Sequence, residues 1–77
     1  MSAAQPDPVP AEQVRRGDVL ACDGRELVVT GTHGAWYCED GQRVAGLAIE
    51  CRAGAARWFL YRRGSELLSR VGSQPGR

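Results

Sequence analysis

The sequence has no lysine, few aromatic residues and no long apolar segment. All ten cationic side chains are Arg, and aromatic residues make up 6% of the 77 residues. No apolar run approaches the roughly 18 residues of a membrane-spanning helix, and the opening residues lack the basic and apolar regions of a secretion signal. These absences predict a cytoplasmic protein with no membrane partner. A chain this short buries only about 60% of its unfolded surface, which excludes folds built around a large buried pocket.

Cysteine and histidine are also scarce. The chain has three Cys and one His, and an odd number of cysteines does not make a disulfide framework. The spacing of Cys22, His33, Cys38 and Cys51 contains no C-x-x-C zinc knuckle. In a meander of short strands we expect Cys22 and Cys38 at one end, and His33 and Cys51 at the other. The sequence therefore predicts no metal, no cofactor and no catalytic residue, because one histidine with no acid in view to orient it is too little for an enzyme.

The formal net charge of +1 is the sum of two unlike halves. Residues 1–41 carry three Arg against seven acids, a charge of −4, whereas residues 42–77 carry seven Arg against two acids, a charge of +5. Such asymmetry indicates an anionic partner for the basic half. The exclusive use of Arg has a simpler explanation, because Arg, Ala and Gly are all abundant in proteins from genomes rich in G and C.

Proline and turn residues divide the chain into three parts. Residues 1–13 hold three of the four prolines and are expected to form a flexible arm outside the core. Residues 73–77 are expected to form a flexible tail. Between them, residues 14–72 form a single domain in which turn residues recur every eight to twelve positions. That recurrence is typical of a small all-β meander or barrel.

The clearest local signal is Asp23-Gly24 between two apolar runs, which predicts a type I′ hairpin. Further turns are predicted at 31–34, 39–41 and 52–55. The predicted strands are 18–22, 25–30, 35–38, 42–51 and 56–62, followed by one helical turn and a short closing strand. In the fourth strand, alternation places Ala45, Leu47, Ile49 and Cys51 toward the core. Gly46 is expected at a bulge or bend.

Residues 14–29, VRRGDVLACDGRELVV, resemble the opening hairpin of SH3-like small barrels, including the KOW-type domains of translation and transcription factors. In that class a Gly-Asp or similar pair opens the first strand, an Asp-Gly or related turn follows, and a Val-rich strand returns. The resemblance implies a small SH3-like barrel of five or six antiparallel strands with one short helical turn before the last strand. Many such barrels bind nucleic acid and many others bind protein, so the resemblance does not identify the binding partner.

The fifth strand carries the candidate binding residues. Alternation puts Arg57, Phe59, Tyr61 and Arg63 on one face, with Trp58, Leu60 and Arg62 on the other. If Trp58 and Leu60 face inward, two rings framed by two guanidinium groups are exposed, an arrangement that stacks bases and neutralises phosphates. If Phe59 and Tyr61 face inward, Trp58 beside Arg62 fits a protein contact. In the third alternative, one aromatic pair belongs to the core and the arginine stems cover it.

The same question applies to Trp36 and Tyr37, which are adjacent and therefore face opposite sides of their strand. We expect one of them to be partly exposed. A core this small is nevertheless expected to need most of the five aromatic side chains inside.

Two non-enzymatic functions follow from these patterns. The first is nucleic-acid binding through the basic, aromatic C-terminal half. Its predicted contact residues are Arg57, Phe59, Tyr61 and Arg63, with Arg43, Arg52 and Arg62 on phosphates. The alternative is a protein–protein interaction module, which would be a regulatory, accessory or inhibitory factor for a larger partner, with Trp58 as a contact. It includes a homo-oligomer formed through a strand edge, because no lysine blunts the edges.

Overall fold

The structure is a computed structural model that describes residues 6–73. Its elements are β1 (Asp7–Pro10), a 3-10 turn (Ala11–Gln13), β2 (Asp18–Cys22), β3 (Arg25–Glu39), β4 (Gln42–Ala53), β5 (Ala56–Arg62) and β6 (Leu67–Ser73). The strands form one antiparallel sheet in the order β1-β6-β2-β3-β4-β5. The predicted all-β fold is confirmed, and so is the number of strands. The sheet is open between β1 and β5, so it does not close into the predicted barrel.

Two tight hairpins organise the sheet, as their turn residues predict. Asp23 and Gly24 have φ angles of 52° and 76°, and Asp40 and Gly41 have φ angles of 52° and 77°. Positive φ at both loop positions is the conformation of a type I′ turn, whose twist suits antiparallel strands. The hairpins between β2 and β3 and between β3 and β4 are therefore encoded locally.

The predicted break at residues 31–34 is wrong, because β3 runs without interruption through Gly31 and Gly34. Its pairing with β4 shifts between Val29 and Gly31, so Thr30 is an extra residue in the ladder. The Thr30 hydroxyl donates a hydrogen bond of 3.1 Å to the carbonyl of Glu50. A bulge therefore bends the strand where the sequence indicates a turn, and the partner strand supplies the backbone hydrogen bonds.

The predicted arm needs a correction over residues 7–13. β1 pairs with β6 from Asp7 opposite Arg70 to Pro10 opposite Leu67, and Val9 is buried in the core. The 3-10 turn that follows also packs there, because Ala11 is buried and its N–H donates to the carbonyl of Glu66. Prolines are compatible with this strand because it lies at the sheet edge. Residues 1–5 of the predicted arm and 74–77 of the predicted tail lie outside the described residues, and Ser73 belongs to β6.

The helical turn predicted before the last strand is also misplaced. Residues 64 and 65 form a turn in which the N–H of Glu66 donates to the carbonyl of Arg63. The 3-10 turn lies instead between β1 and β2, and its Glu12 N–H donates to the carbonyl of Gly64. The two turns therefore pack together, and the turn at residues 64 and 65 carries the chain from β5 across to β6.

The core contains no aromatic side chain, which overturns the expectation that most aromatics lie inside. Its buried residues are Val9, Ala11, Val14, Leu20, Leu27, Val29, Ile49 and Cys51. Leu47 is partly buried and packs against them, but Ala45, which was predicted to face the core, is exposed. Small aliphatic side chains fill the space between the bent sheet, β1 and the 3-10 turn. The aromatic side chains of the chain therefore lie outside the core, where a binding partner can contact them.

Ile49 has no exposed surface, and its replacement tests this core. We expect Ile49→Ala to lower the free energy of unfolding by about 2–5 kcal/mol, because it removes buried methylene groups and leaves a cavity. Leu67→Ala is the control, because Leu67 is 62% exposed, and we expect a change of about 0.5 kcal/mol or less. Urea unfolding followed by circular dichroism measures both. Equal losses for the two variants would contradict the core described here.

Candidate nucleic-acid interface

All five aromatic side chains lie on β3 and β5. Trp36 is 63% exposed, Trp58 38%, Phe59 45% and Tyr61 46%, and Tyr37 is partly buried. Such rings lower the free energy most when they are removed from water. Four substantially exposed rings in so small a domain therefore mark a surface suited to binding.

Strand pairing assigns these rings to two faces of the sheet, because residues directly opposite each other share a face. The inner face is the one that carries the core residues Ile49 and Cys51. Leu60 lies opposite Ile49, and Trp58 lies opposite Cys51. Phe59 and Tyr61 lie on the outer face. The structure thus has the first arrangement considered from the sequence, in which Trp58 and Leu60 face inward.

The outer face carries the predicted contact residues, but two of its arginines are paired with acids. Arg57 Nε lies 3.2 Å from Glu50 Oε2, and Arg63 Nη2 lies 2.8 Å from Glu39 Oε1. Arg52 lies opposite Arg57 on the same face. Ion pairs this exposed contribute little stability, but they offset the positive charge around Phe59 and Tyr61. The outer face is therefore aromatic and close to neutral.

Gly46 lets two outer-face rings from β3 and β5 meet across β4. The ring centroids of Tyr37 and Tyr61 are 5.8 Å apart. A Cβ atom at Gly46 would lie 2.6 Å from Tyr37 Cε1 and 2.6 Å from the carbonyl oxygen of Arg62. The register continues through Gly46 without a shift, so the predicted bulge at this residue is wrong. Glycine is required there because the tyrosine ring and the backbone of the β5 end fill the place of a side chain.

The inner face carries two tryptophan–arginine pairs. The guanidinium carbon of Arg25 lies 4.9 Å from the ring centroid of Trp58, and that of Arg43 lies 4.9 Å from the ring centroid of Trp36. Both distances are within the range of a cation–π interaction. Trp36 is on the inner face because its cross-strand partner, Ala45, alternates with Leu47 and Ile49 along β4.

The arginines of these two pairs differ from the four that form ion pairs with acids. Arg62 is paired with Glu66 at 3.2 Å, and Arg70 with Asp7 at 2.9 Å, in addition to the outer-face pairs. Neither Arg25 nor Arg43 has a carboxylate within salt-bridge distance among residues 6–73. Their charge is compensated only by a ring face, so it is available to an anion.

A groove of about 310 Å³ surrounds the Arg25–Trp58 pair. Its lining includes apolar Leu27, Leu60 and Trp58, together with charged Asp23, Arg25 and Arg62. This volume is at the lower end of the range for small-molecule sites. The groove lies at the open side of the sheet, between the β2–β3 hairpin and β5. It can hold one flat ring with an anionic group, and it does not enclose a ligand.

The Arg43–Trp36 pair lies on a ribbon that extends beyond the rest of the sheet. β5 ends at Arg62, opposite Leu47, so residues 35–46 continue as β3 and β4 alone. Along β4, Cys51 opposite Trp58 and Ala45 opposite Trp36 are six residues apart, roughly 20 Å at 3.3 Å per residue. The inner face therefore presents two Trp–Arg pairs at the ends of a strip, which we call the inner strip.

The cysteines and the histidine are not arranged as predicted. Cys22 and Cys51 are close enough to interact electrostatically, whereas exposed Cys38 lies near the ribbon tip and His33 on the outer face. Burial, aided by Cys22 and Glu50, raises the pKa of the Cys51 thiol to about 11, so it is protonated and unreactive at neutral pH. In the described part of the chain no three His, Cys, Asp or Glu side chains are grouped to hold a metal.

Comparison with protein-family models, with curated proteins and with solved structures finds no match for this chain. The SH3-like resemblance of its opening hairpin therefore stays a prediction. No helix in the part of the chain that the structure describes has the length and hydropathy to span a bilayer.

Sequence reasoning named Arg43, Trp58 and the exposed member of the Trp36 and Tyr37 pair, but it missed Arg25. A signal for Arg25 was present, because it precedes core residue Leu27 by two positions and therefore shares its face. Its pairing with Trp58 depends on the curl of the sheet, which brings the β2–β3 hairpin to β5. That contact cannot be derived from strand alternation.

The role of Gly46 can be tested by comparing it with Gly34, which lies on the neighbouring strand β3. We expect Gly46→Ala to destabilise the protein by about 1–3 kcal/mol, because the new methyl group overlaps Tyr37 and Arg62. Gly34→Ala is the matched control, since nothing lies within 4 Å of a Cβ atom there, and we expect little change or a small gain. Thermal unfolding compares the two. A Gly46→Ala variant as stable as Gly34→Ala would contradict the tyrosine packing.

Proposed function

We propose that this protein is a non-enzymatic module that binds single-stranded nucleic acid on its inner strip. One observation carries the proposal: the two tryptophans of the chain lie on one face, and each stacks on an arginine without a carboxylate partner. Aromatic rings stack on bases of any sequence, and nearby guanidinium groups neutralise phosphates. The proposal shifts the site from the outer-face residues favoured by the sequence to Arg25, Trp36, Arg43 and Trp58.

The shape of the strip supports this function. Gly34 lies between the two pairs and Ala45 lies opposite Trp36, so a strand of nucleotides can approach the backbone of β3 and β4 near Trp36. Arg62, which lines the groove, is held by Glu66 in a partly exposed ion pair, and a phosphate can replace the Glu66 carboxylate. The Asp23 carboxylate also lines the groove and repels phosphates, so we expect modest affinity. Because rings stack on any base, we expect little sequence preference.

The proposed function predicts a salt-sensitive interaction. Fluorescence anisotropy of a labelled oligothymidylate of about 12 nucleotides measures it at about 50 and 200 mM salt. We expect log K to fall with log salt with a slope near −0.7 for each phosphate contact, hence roughly −1.5 to −2 for two or three arginines. Trp36→Ala should weaken binding about fivefold to 150-fold, the usual effect of losing one stacked base.

Matched variants on the outer face locate the site. Phe59→Ala and Arg57→Ala remove an exposed ring and an arginine from the opposite side of the sheet, and we expect either to leave the affinity unchanged. Absence of binding at low salt, or a flat salt response, contradicts the proposed function. Weaker binding by Phe59→Ala, together with unchanged binding by Trp36→Ala, instead places the site on the outer face.

A further inference from the structure

The sheet has two edges, and they differ in their capacity to pair with another strand. β1 is one edge, and two of its four residues, Pro8 and Pro10, have no N–H group. β5 is the other edge. Its seven residues, ARWFLYR, include neither Pro nor Lys. Within residues 6–73, β5 pairs with β4 alone, and no strand pairs with its other edge. Charged side chains can also protect an edge, but Arg57 and Arg62 of β5 are each paired with a glutamate, so β5 is the edge open to a partner.

The sequence of β5 is suited to pairing with a second copy of itself. A closed dimer requires a two-fold axis, and an axis perpendicular to the sheet keeps the two inner faces on one side. Such an antiparallel pair is centred on a single residue. Centring on Phe59 pairs all seven residues, with Trp58 opposite Leu60 of the second copy, Arg57 opposite its Tyr61, and Phe59 opposite itself.

Charge and strand length disfavour the two neighbouring symmetric registers. Centring on Leu60 places Arg57 opposite Arg63, and like charges directly opposite each other are destabilising. Centring on Trp58 places Tyr61 and Arg62 opposite residues 55 and 54, which form a turn in which Gly54 has a φ angle of 61°. Only the register centred on Phe59 uses the whole strand and places no two arginines opposite each other.

We propose that β5 is a self-association edge, through which two copies join β5 to β5 in the antiparallel register centred on Phe59. The pairing adds roughly six to eight backbone hydrogen bonds between the copies. It also places two half-exposed Phe59 rings side by side and sets Arg57 beside a Tyr61 ring, both favourable contacts. The two sheets then form one continuous sheet with both inner strips on the same side.

Sedimentation velocity over a range of concentrations tests the association. We expect the unmodified chain to pass from monomer to dimer as concentration rises, and Phe59→Lys to stay monomeric, because two ammonium groups would meet at the two-fold axis. His33→Lys is the control, since it adds the same charge at an exposed outer-face position on β3, two strands from the edge. Circular dichroism verifies that both variants fold. A monomer at every concentration, or a Phe59→Lys dimer as strong as the unmodified one, overturns the proposal.

Cysteine crosslinking tests the register in a Cys38→Ser background, which removes an exposed thiol. Opposite residues in an antiparallel pair have Cα atoms about 4.5–5.5 Å apart, within the range of a disulfide. We expect F59C to form a covalent dimer on oxidation and Y61C not to, whereas the R57C/Y61C double variant does. Equal crosslinking of F59C and H33C overturns the register.

Discussion

The small aliphatic core at one end of the sheet determines the rest of the molecule. Ile49 and Cys51 of β4, Val29 of β3 and Leu20 of β2 are fully buried without help from any aromatic ring. The bulge after Val29 bends β3 over this core, and β1 with its 3-10 turn covers it. Because aliphatic side chains alone fill the space, β3 and β4 continue past it as a ribbon whose two faces are both accessible.

The accessible part of the sheet holds the features that a binding protein needs. The tryptophan side chains lie on strands whose backbone is already ordered, so binding to them costs little backbone entropy. The ribbon itself is supported by the Tyr37–Tyr61 contact, because a two-stranded hairpin alone is only marginally stable. The outer face therefore holds the ribbon in place, and the inner face is left for a ligand. Self-association at β5 would extend that inner face without covering the Trp36 end.

Local chemistry in the sequence predicted the hairpins at Asp23-Gly24 and Asp40-Gly41. Alternation divided the residues of β5 between two faces but did not decide which face lies inward. Properties that depend on distant partners were not predicted. Gly31 and Gly34 indicate a turn until β4 is present to pair with them, and the prolines near residue 9 indicate an arm until β6 supplies an edge. The ion pairs of the arginines were not predicted for the same reason. Glu39 is 24 residues from Arg63 along the chain. Glu50 lies on β4, whereas Arg57 lies on β5, so their contact depends on strand pairing.

The tryptophans lie outside the core, on an accessible inner strip. Acrylamide quenching of tryptophan fluorescence in the Trp58→Phe variant reports on Trp36 alone, at a concentration where sedimentation shows a monomer. We expect a red-shifted emission and a quenching constant close to that of the urea-unfolded chain, because Trp36 is 63% exposed. A blue-shifted emission that resists quenching would contradict it, since that result would place the ring in a core the structure builds without it.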